Sequence, residues 1–356
     1  MRQERVLVAM SGGVDSSVSA YLLAQAGYEV IGAMLRFWED EPCAEDRCCS
    51  PDAAYEARWV ADQIGIPFYL LDSREVFRQE VIAPFTESYA RGQTPNPCVS
   101  CNTHIKFDYL LEKARRLGAD YLATGHYVQR RENGGRVAWH RGADPAKDQT
   151  YFVWGTPRES VARILFPVGG MAKTQVRQIA AEAGLITAKK PESQNICFVG
   201  GGLREFLQER LEQGTGPVYD LAGNLVGRHR GASFYTVGQR KGLELNPDTG
   251  ELYVLKVIPE ENILLVGSRA QCSASQAAVS EFNWLIDPDE LPGQLWAQVR
   301  YRQKPVSACL EGNQVRFHEP QFAVTPGQSL VLYAEDQLVG GGIIAAAQAV
   351  SAELAV

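Results

Sequence analysis

The segment Ser11-Gly12-Gly13-Val14-Asp15-Ser16-Ser17 limits the fold more than any other stretch of this chain. It follows a short apolar run, residues 5–10 (RVLVAM), which reads as a buried strand. It precedes residues 16–26, where Val18, Tyr21, Leu22 and Leu23 recur at helical spacing until Gly27 stops the helix. A strand, a glycine turn and a helix in that order form a ready anion site. The glycines let backbone N–H groups approach a phosphate, and the helix N-terminus adds positive potential. Ser11, Ser16 and Ser17 carry hydroxyls suited to phosphate oxygens, and Asp15 a carboxylate suited to magnesium. The loop lacks the Gly-Lys-Ser/Thr ending of a Walker loop. A Ser/Gly turn before a helix is also an ordinary cap, so its surroundings must decide.

Those surroundings alternate. Strands at 28–35, 67–72 and 119–124 are separated by helices at 52–65, about 75–91 and 105–117. This predicts an α/β domain with a doubly wound parallel sheet covered on both faces. The alternation fades after about residue 130, where RRENGGRVAWH reads as a hairpin, followed by one more helix at 173–184. From about 215 onward short strands and Gly/Pro/Asp turns predict two small β-rich domains joined near 270–280, the last a β-barrel. With 356 residues the chain exceeds one ordinary domain. The expected division is 1–203 for the phosphate-loop and catalytic domain, 204–274 for a central β-rich domain and 275–356 for the barrel.

No run of about 18 apolar residues exists, and MRQERVLVAM has no signal-peptide character. A cytoplasmic location without membrane association is the expectation. Eight cysteines in a cytoplasmic chain then suggest metal binding, sulfur chemistry or packing rather than a disulfide framework. A net charge of -7 argues weakly against a nucleic-acid partner. Local basic stretches offset it: Arg228, His229, Arg230, Arg240 and Lys241, then Arg300, Arg302, Lys304 and Arg316.

Two cysteine elements stand out. Thr94-Pro95-Asn96-Pro97-Cys98-Val99-Ser100-Cys101-Asn102 reads as a proline-stiffened extended loop ahead of the helix at about 105. A cysteine near a helix N-terminus has its thiolate favoured, as a nucleophile needs. The second element, Glu192 to Phe198, places Cys197 among polar residues ahead of Gly200-Gly201-Gly202, a run able to hinge a lid. For any single cysteine, inert burial is the default.

SGGVDSS resembles the pyrophosphatase-type loop of enzymes that cleave ATP between the α- and β-phosphates. Together, TPNPCVSCN, TGHY (Thr124 to Tyr127), KDQTYF (Lys147 to Phe152), PESQNICFV and GASFYTVGQRKG resemble the bacterial tRNA-specific 2-thiouridylase family, in order and spacing, over essentially the whole chain. The resemblance implies ATP-dependent 2-thiolation of the wobble uridine, position 34, of tRNAs for Glu, Gln and Lys. It implies adenylation of the uridine C2 oxygen, release of AMP and pyrophosphate, and sulfur delivered from a persulfide. Cys101 is the implied nucleophile, Cys197 the implied persulfide carrier, and a cysteine desulfurase or sulfur relay protein the implied donor. ATP contacts are implied at Ala9, Met10, Ser11, Gly12, Gly13, Val14, Asp15 and Ser16, and at Leu35 and Gly125. Contacts with tRNA are implied at Asn96, Pro97, Cys98, Lys147, Asp148, Gln149, Arg300 and Tyr301.

One position departs from the family. Many members carry Asp where this chain has Cys98, so a role of that carboxylate does not transfer. Cys98, Cys101 and Cys197 then make a three-thiolate set, which suits a [4Fe–4S] cluster with one open iron site. A metal-free persulfide relay and a structural zinc remain open beside it; the zinc needs a fourth ligand, available in principle from Cys43, Cys48 or Cys49. Two rival functions are a small-molecule ligase, which needs no cysteine, and a metal-containing RNA-binding protein, which needs no ATP.

Overall fold

The structure, a computed structural model, describes residues 2–37, 51–192, 196–200 and 202–349. Cys43, Cys48 and Cys49 lie outside the described residues. The first part contains β1 (Arg5–Ala9), α1 (Val14–Gln25), β2 (Glu29–Arg36), α2 (Pro51–Ile64), β3 (Phe68–Asp72) and helical runs α3 (74–90) and α4 (97–116). Then come β4 (Tyr121–Thr124), the hairpin β5 (Val128–Asn133) and β6 (Arg136–Arg141), β7 (Ile164–Leu165), α5 (Lys173–Glu182) and α6 (Leu203–Gln208).

Five strands form a parallel sheet in the order β3-β2-β1-β4-β7. Successive side chains of a strand point to opposite faces. On β1, Val6 and Val8 therefore enter one apolar cluster with α1, α2 and α5, while Leu7 enters another with α3 and α4. The chain leaves β1 toward β2 on one side and β4 pairs on the other. The carboxyl ends of β1 and β4 thus flank a switch point, where open α/β sheets place their ligands.

Two β-rich units follow. Strands Gly216–Tyr219, Leu225–His229, Glu244–Leu245, Tyr253–Ile258 and Ile263–Gly267 form the central sheet. Residues 268–272 lead into six strands, Ser273–Trp284 through Gln337–Ala349, which close into a barrel because the first also pairs with the last. The β5–β6 hairpin extends this barrel sheet through the pairing of His140 with Gln337. Trp139 on β6 and Tyr333 and Val331 of the barrel share one cluster with Leu7 and Phe107. The α/β domain and the barrel therefore bury a common core.

Among the described residues no helix is long and apolar enough to cross a membrane.

Candidate active site at the carboxyl end of the parallel sheet

The phosphate loop is built by close backbone packing. Gly12 has φ +70, and a Cβ there would lie 2.4 Å from the Ala53 carbonyl oxygen. Gly125, after β4, is equally confined: a Cβ would stand 2.7 Å from the Ser16 backbone nitrogen. Gly125 thus carries the TGHY turn directly onto the first turn of α1. Ser16 and Ser17 are buried, and their hydroxyls donate to the Gly13 carbonyl at 3.1 and 2.9 Å. They shape the loop, and only Ser11 is exposed at its mouth. Met10 and Leu35 have buried side chains, so their backbones are what the site can use. Ala9 and Val14 flank the loop on β1 and α1.

Asp15 has partners that sequence reasoning missed. Lys173, at the start of α5, places Nζ 2.7 and 2.8 Å from the two Asp15 carboxylate oxygens. Tyr127 donates its hydroxyl to Asp15 Oδ1 at 2.7 Å. Burial, then the Asp15 charge, push the Tyr127 phenol far above its ordinary range, so it stays protonated and keeps the proton that it donates to Asp15. Lys173 also meets Glu192 Oε1 at 2.9 Å, and Lys147 meets Glu192 Oε2 at 2.6 Å. Burial raises the Glu192 carboxyl, but hydrogen bonds from Lys147 and Lys173 and their charges outweigh it and bring it down to about 2. One chain of charges, Asp15–Lys173–Glu192–Lys147, therefore joins three separate motifs through a lysine that belongs to none of them. The available signal for Lys173 was a lysine opening an otherwise apolar-faced helix; nothing in the sequence pointed it at Asp15.

The first cysteine element is helical, not extended. The run starts at Pro97, with Asn96 as its N-cap: the Asn96 side-chain oxygen accepts from Cys98 N at 3.2 Å and Val99 N at 3.4 Å. Proline fits the first helical position because its missing N–H is not needed there. Cys98 is exposed on the first turn and Cys101 is buried on the second. From Cys101 to Leu110 the helix runs in wide π turns, which often mark functional sites. Asn102, 2% exposed, donates Nδ2 to the Phe152 carbonyl at 2.8 Å, while its Oδ1 is buried without a hydrogen bond.

The second cysteine element approaches the first. Cys197 and Phe198 pack against the cluster that holds Cys101, Val99, Phe77 and Val81. The Phe198 ring sits 5.7 Å from Phe77 and 5.2 Å from Phe85, which anchors this turn on α3. Among the described residues no three Cys, His, Asp or Glu side chains are grouped as a metal site.

All three units clamp the cysteine loop. Thr94 N donates to Pro326 O at 2.9 Å, Gln328 Nε2 to Thr94 O at 2.8 Å, and Thr94 Oγ1 to Thr236 Oγ1 at 3.0 Å. Tyr301, on the barrel turn, packs on Phe152 with centroids 4.4 Å apart, and Arg300 beside it is exposed. Asp148 is mostly buried and accepts from Gly142 N, Thr150 and Arg141. Gln149 accepts from Tyr127 N. Both brace the 142–150 loop, while Lys147 faces Glu192. In the central basic stretch, His229 is buried, with Nε2 at 3.0 Å from Asn262 O and Nδ1 accepting from Gly231 N. Burial lowers its proton affinity, so it adds no positive charge. Arg230 and Arg240 pair with Glu244 and Glu251.

Residues 4–201 match the family described as tRNA methyl transferase HUP domain. Residues 204–268 match the tRNA methyl transferase PRC-barrel domain, and 274–344 the aminomethyltransferase beta-barrel domain. The chain is 56% identical over 351 residues to the tRNA-specific 2-thiouridylase MnmA of Deinococcus radiodurans, covering 96% of this chain and 92% of the relative. It is 56% identical over 354 residues to that of Thermus thermophilus, covering 96% and 95%. It is 46% identical over 358 residues to that of Desulforamulus reducens, covering 96% and 97%.

Proposed function

The chain belongs to the tRNA-specific 2-thiouridylase family, and from that premise we propose that it replaces the C2 oxygen of the tRNA wobble uridine with sulfur, using ATP. The carrying observation is the charge chain from Asp15 through Lys173 to Glu192, which ties the phosphate loop to the segment bearing Cys197.

The uridine leaves its stack so that C2 reaches the carboxyl end of the sheet. Its O2 attacks the α-phosphate of ATP, and pyrophosphate departs toward the first turn of α1 and Lys173. Asp15 Oδ2, engaged by one donor, keeps a lone pair able to hold magnesium. Bound there, the ion would neutralise phosphate charge. Cys197 carries the incoming sulfur as a persulfide. Its outer sulfur bonds to C2 and AMP leaves, while the Cys101 thiolate takes the inner sulfur to form a Cys101–Cys197 disulfide. Two equivalents of an external thiol, themselves oxidised to a disulfide, must reduce that bond before the next turnover. The shared apolar packing of Cys101 and Cys197 supports this relay. The relay uses Cys101 and Cys197 as thiols and needs no metal ion.

The matched family's description speaks of methyl transfer. Two cysteines packed on one cluster beside an ATP-type phosphate loop favour sulfur instead. Position 34, tRNAs for Glu, Gln and Lys, and a desulfurase or relay protein as donor complete the proposal. Single-turnover reaction of the folded protein with tRNA, ATP and a persulfide donor tests it. Mass analysis of the nucleosides should show 2-thiouridine formed with AMP and pyrophosphate; none formed would overturn the reading.

A further inference from the structure

The outer wall of the barrel carries a thiol with a base beside it. Strands Val306–Glu311 and Gln314–Phe322 are antiparallel neighbours with Ala308 opposite Phe317 and Cys309 opposite Arg316. Ala308, Val315 and Phe317 point into the barrel core. The alternate positions Ser307, Cys309, Arg316 and His318 therefore share the outer face. Cys309 Sγ lies 3.4 Å from His318 Nε2. The other ring nitrogen, Nδ1, lies 2.7 Å from Ser307 Oγ, and Gln294 Nε2 donates to that same oxygen at 2.7 Å. His318 is exposed and Cys309 half-buried, so small molecules reach the pair.

We propose that Cys309 and His318 form a reactive thiol–imidazole pair, a modification site for low-molecular-weight disulfides. The geometry carries this. With the ring proton on Nδ1 and donated to Ser307 Oγ, Nε2 is free to accept from the Cys309 thiol, and Ser307, fixed by Gln294, holds the ring against rotation. Arg316, across the ladder, adds positive charge near the sulfur, although Glu311 draws on it at 3.6 Å. Two ligands make no metal centre, and among the described residues no third Cys, His, Asp or Glu joins them in a metal-binding group.

The step balances without another reagent. The Cys309 thiol gives its proton to His318 Nε2, and the thiolate attacks one sulfur of R–S–S–R. A Cys309–S–S–R bond forms as the original S–S bond breaks, and the departing thiolate takes the proton back from Nε2 as RSH. The Cys309 sulfur rises from the thiol to the disulfide level as the departing sulfur falls from the disulfide to the thiol level, so no outside oxidant is needed. The pair shares no residue with the nucleotide and cysteine site, so its reactivity is independent of thiolation.

Cys272 is a built-in control. It is buried, its Sγ donates to Val254 O at 3.6 Å, and burial pushes its thiol up. The test treats the full-length protein with bis(2-hydroxyethyl) disulfide and follows each cysteine by peptide mass spectrometry over time. The segment 303–316 contains Cys309 as its only cysteine. Cys309 should react faster in the folded chain than in the same chain unfolded in urea, whereas Cys272 should be protected in the folded chain and react only on unfolding. His318→Gln should slow Cys309 by about ten-fold or more, the scale of losing a general base. Ser307→Ala should slow it less, in the same direction, and serves if His318→Gln fails to fold. Equal rates in both variants and the native chain, or slower reaction of Cys309 folded than unfolded, would overturn the proposal.

Discussion

Lys173 holds Asp15 across 158 residues of sequence, its ammonium 2.7 and 2.8 Å from the two carboxylate oxygens. Lys173 is 8% exposed, so the pair sits where water screens it poorly. Its second contact, with Glu192, makes one cation the link between the phosphate loop and the sulfur segment.

Lys173→Met should therefore damage chemistry more than folding alone would. Two carboxylates would face each other without their shared cation, and a donor toward the leaving pyrophosphate would be lost. Pyrophosphate release with tRNA and ATP should fall by about a hundred-fold. Stability in urea should fall by roughly 1 to 2 kcal/mol, the scale of a charged hydrogen bond partly screened by water. Native-like turnover in the variant would show that the lysine is only structural.

Glu192 gives stability a definite pH dependence. Its folded carboxyl lies at about 2, below the ordinary 4.5. The unfolded chain therefore binds more protons in this window, and stability rises with pH across it. The contribution is present above about 4.5 and lost as pH falls toward about 2. Urea midpoints of the native chain and Glu192→Gln, compared between those limits, should converge at the acid end and separate toward neutral pH. Parallel curves would mean that the carboxylate adds nothing.

Adenylation and sulfur transfer should separate at the cysteines. Cys101→Ser and Cys197→Ser leave the phosphate loop untouched and should still release pyrophosphate with tRNA. Thiolated nucleoside should drop at least a thousand-fold, roughly the scale of losing a nucleophile. Thiolation surviving in either variant would remove that residue from the relay.

Arg300 and Lys304 are exposed on the barrel turn next to Tyr301. Changing either to Gln should weaken tRNA binding. The slope of log affinity against log salt should shrink by about 0.7 to 0.9 for each phosphate no longer neutralised. Unchanged affinity and slope in both variants would place the tRNA grip elsewhere.

The parallel sheet and its phosphate loop were legible from the residues alone. Short apolar runs, glycine turns and helical spacing are local signals, and β1, α1 and β2 fall where they indicated. The start of α4 was not legible in the same way. Two prolines around Asn96 read as extended chain, yet the Asn96 side chain caps the helix that Pro97 opens. Nor was His229 readable as neutral, because a basic stretch in sequence says nothing of which side chain turns inward.

By itself, then, the sequence determined the alternating elements, the glycine loop between β1 and α1 and the spacing of the two cysteine elements, since each depends on neighbours a few residues apart. Tertiary structure alone decided that Lys173 bridges Asp15 and Glu192, that the β5–β6 hairpin extends the barrel sheet, and that Cys309 faces His318. The physical reason is range. Charge pairing and strand pairing act across a few ångströms of space, and only the packed core brings such distant parts of a chain that close.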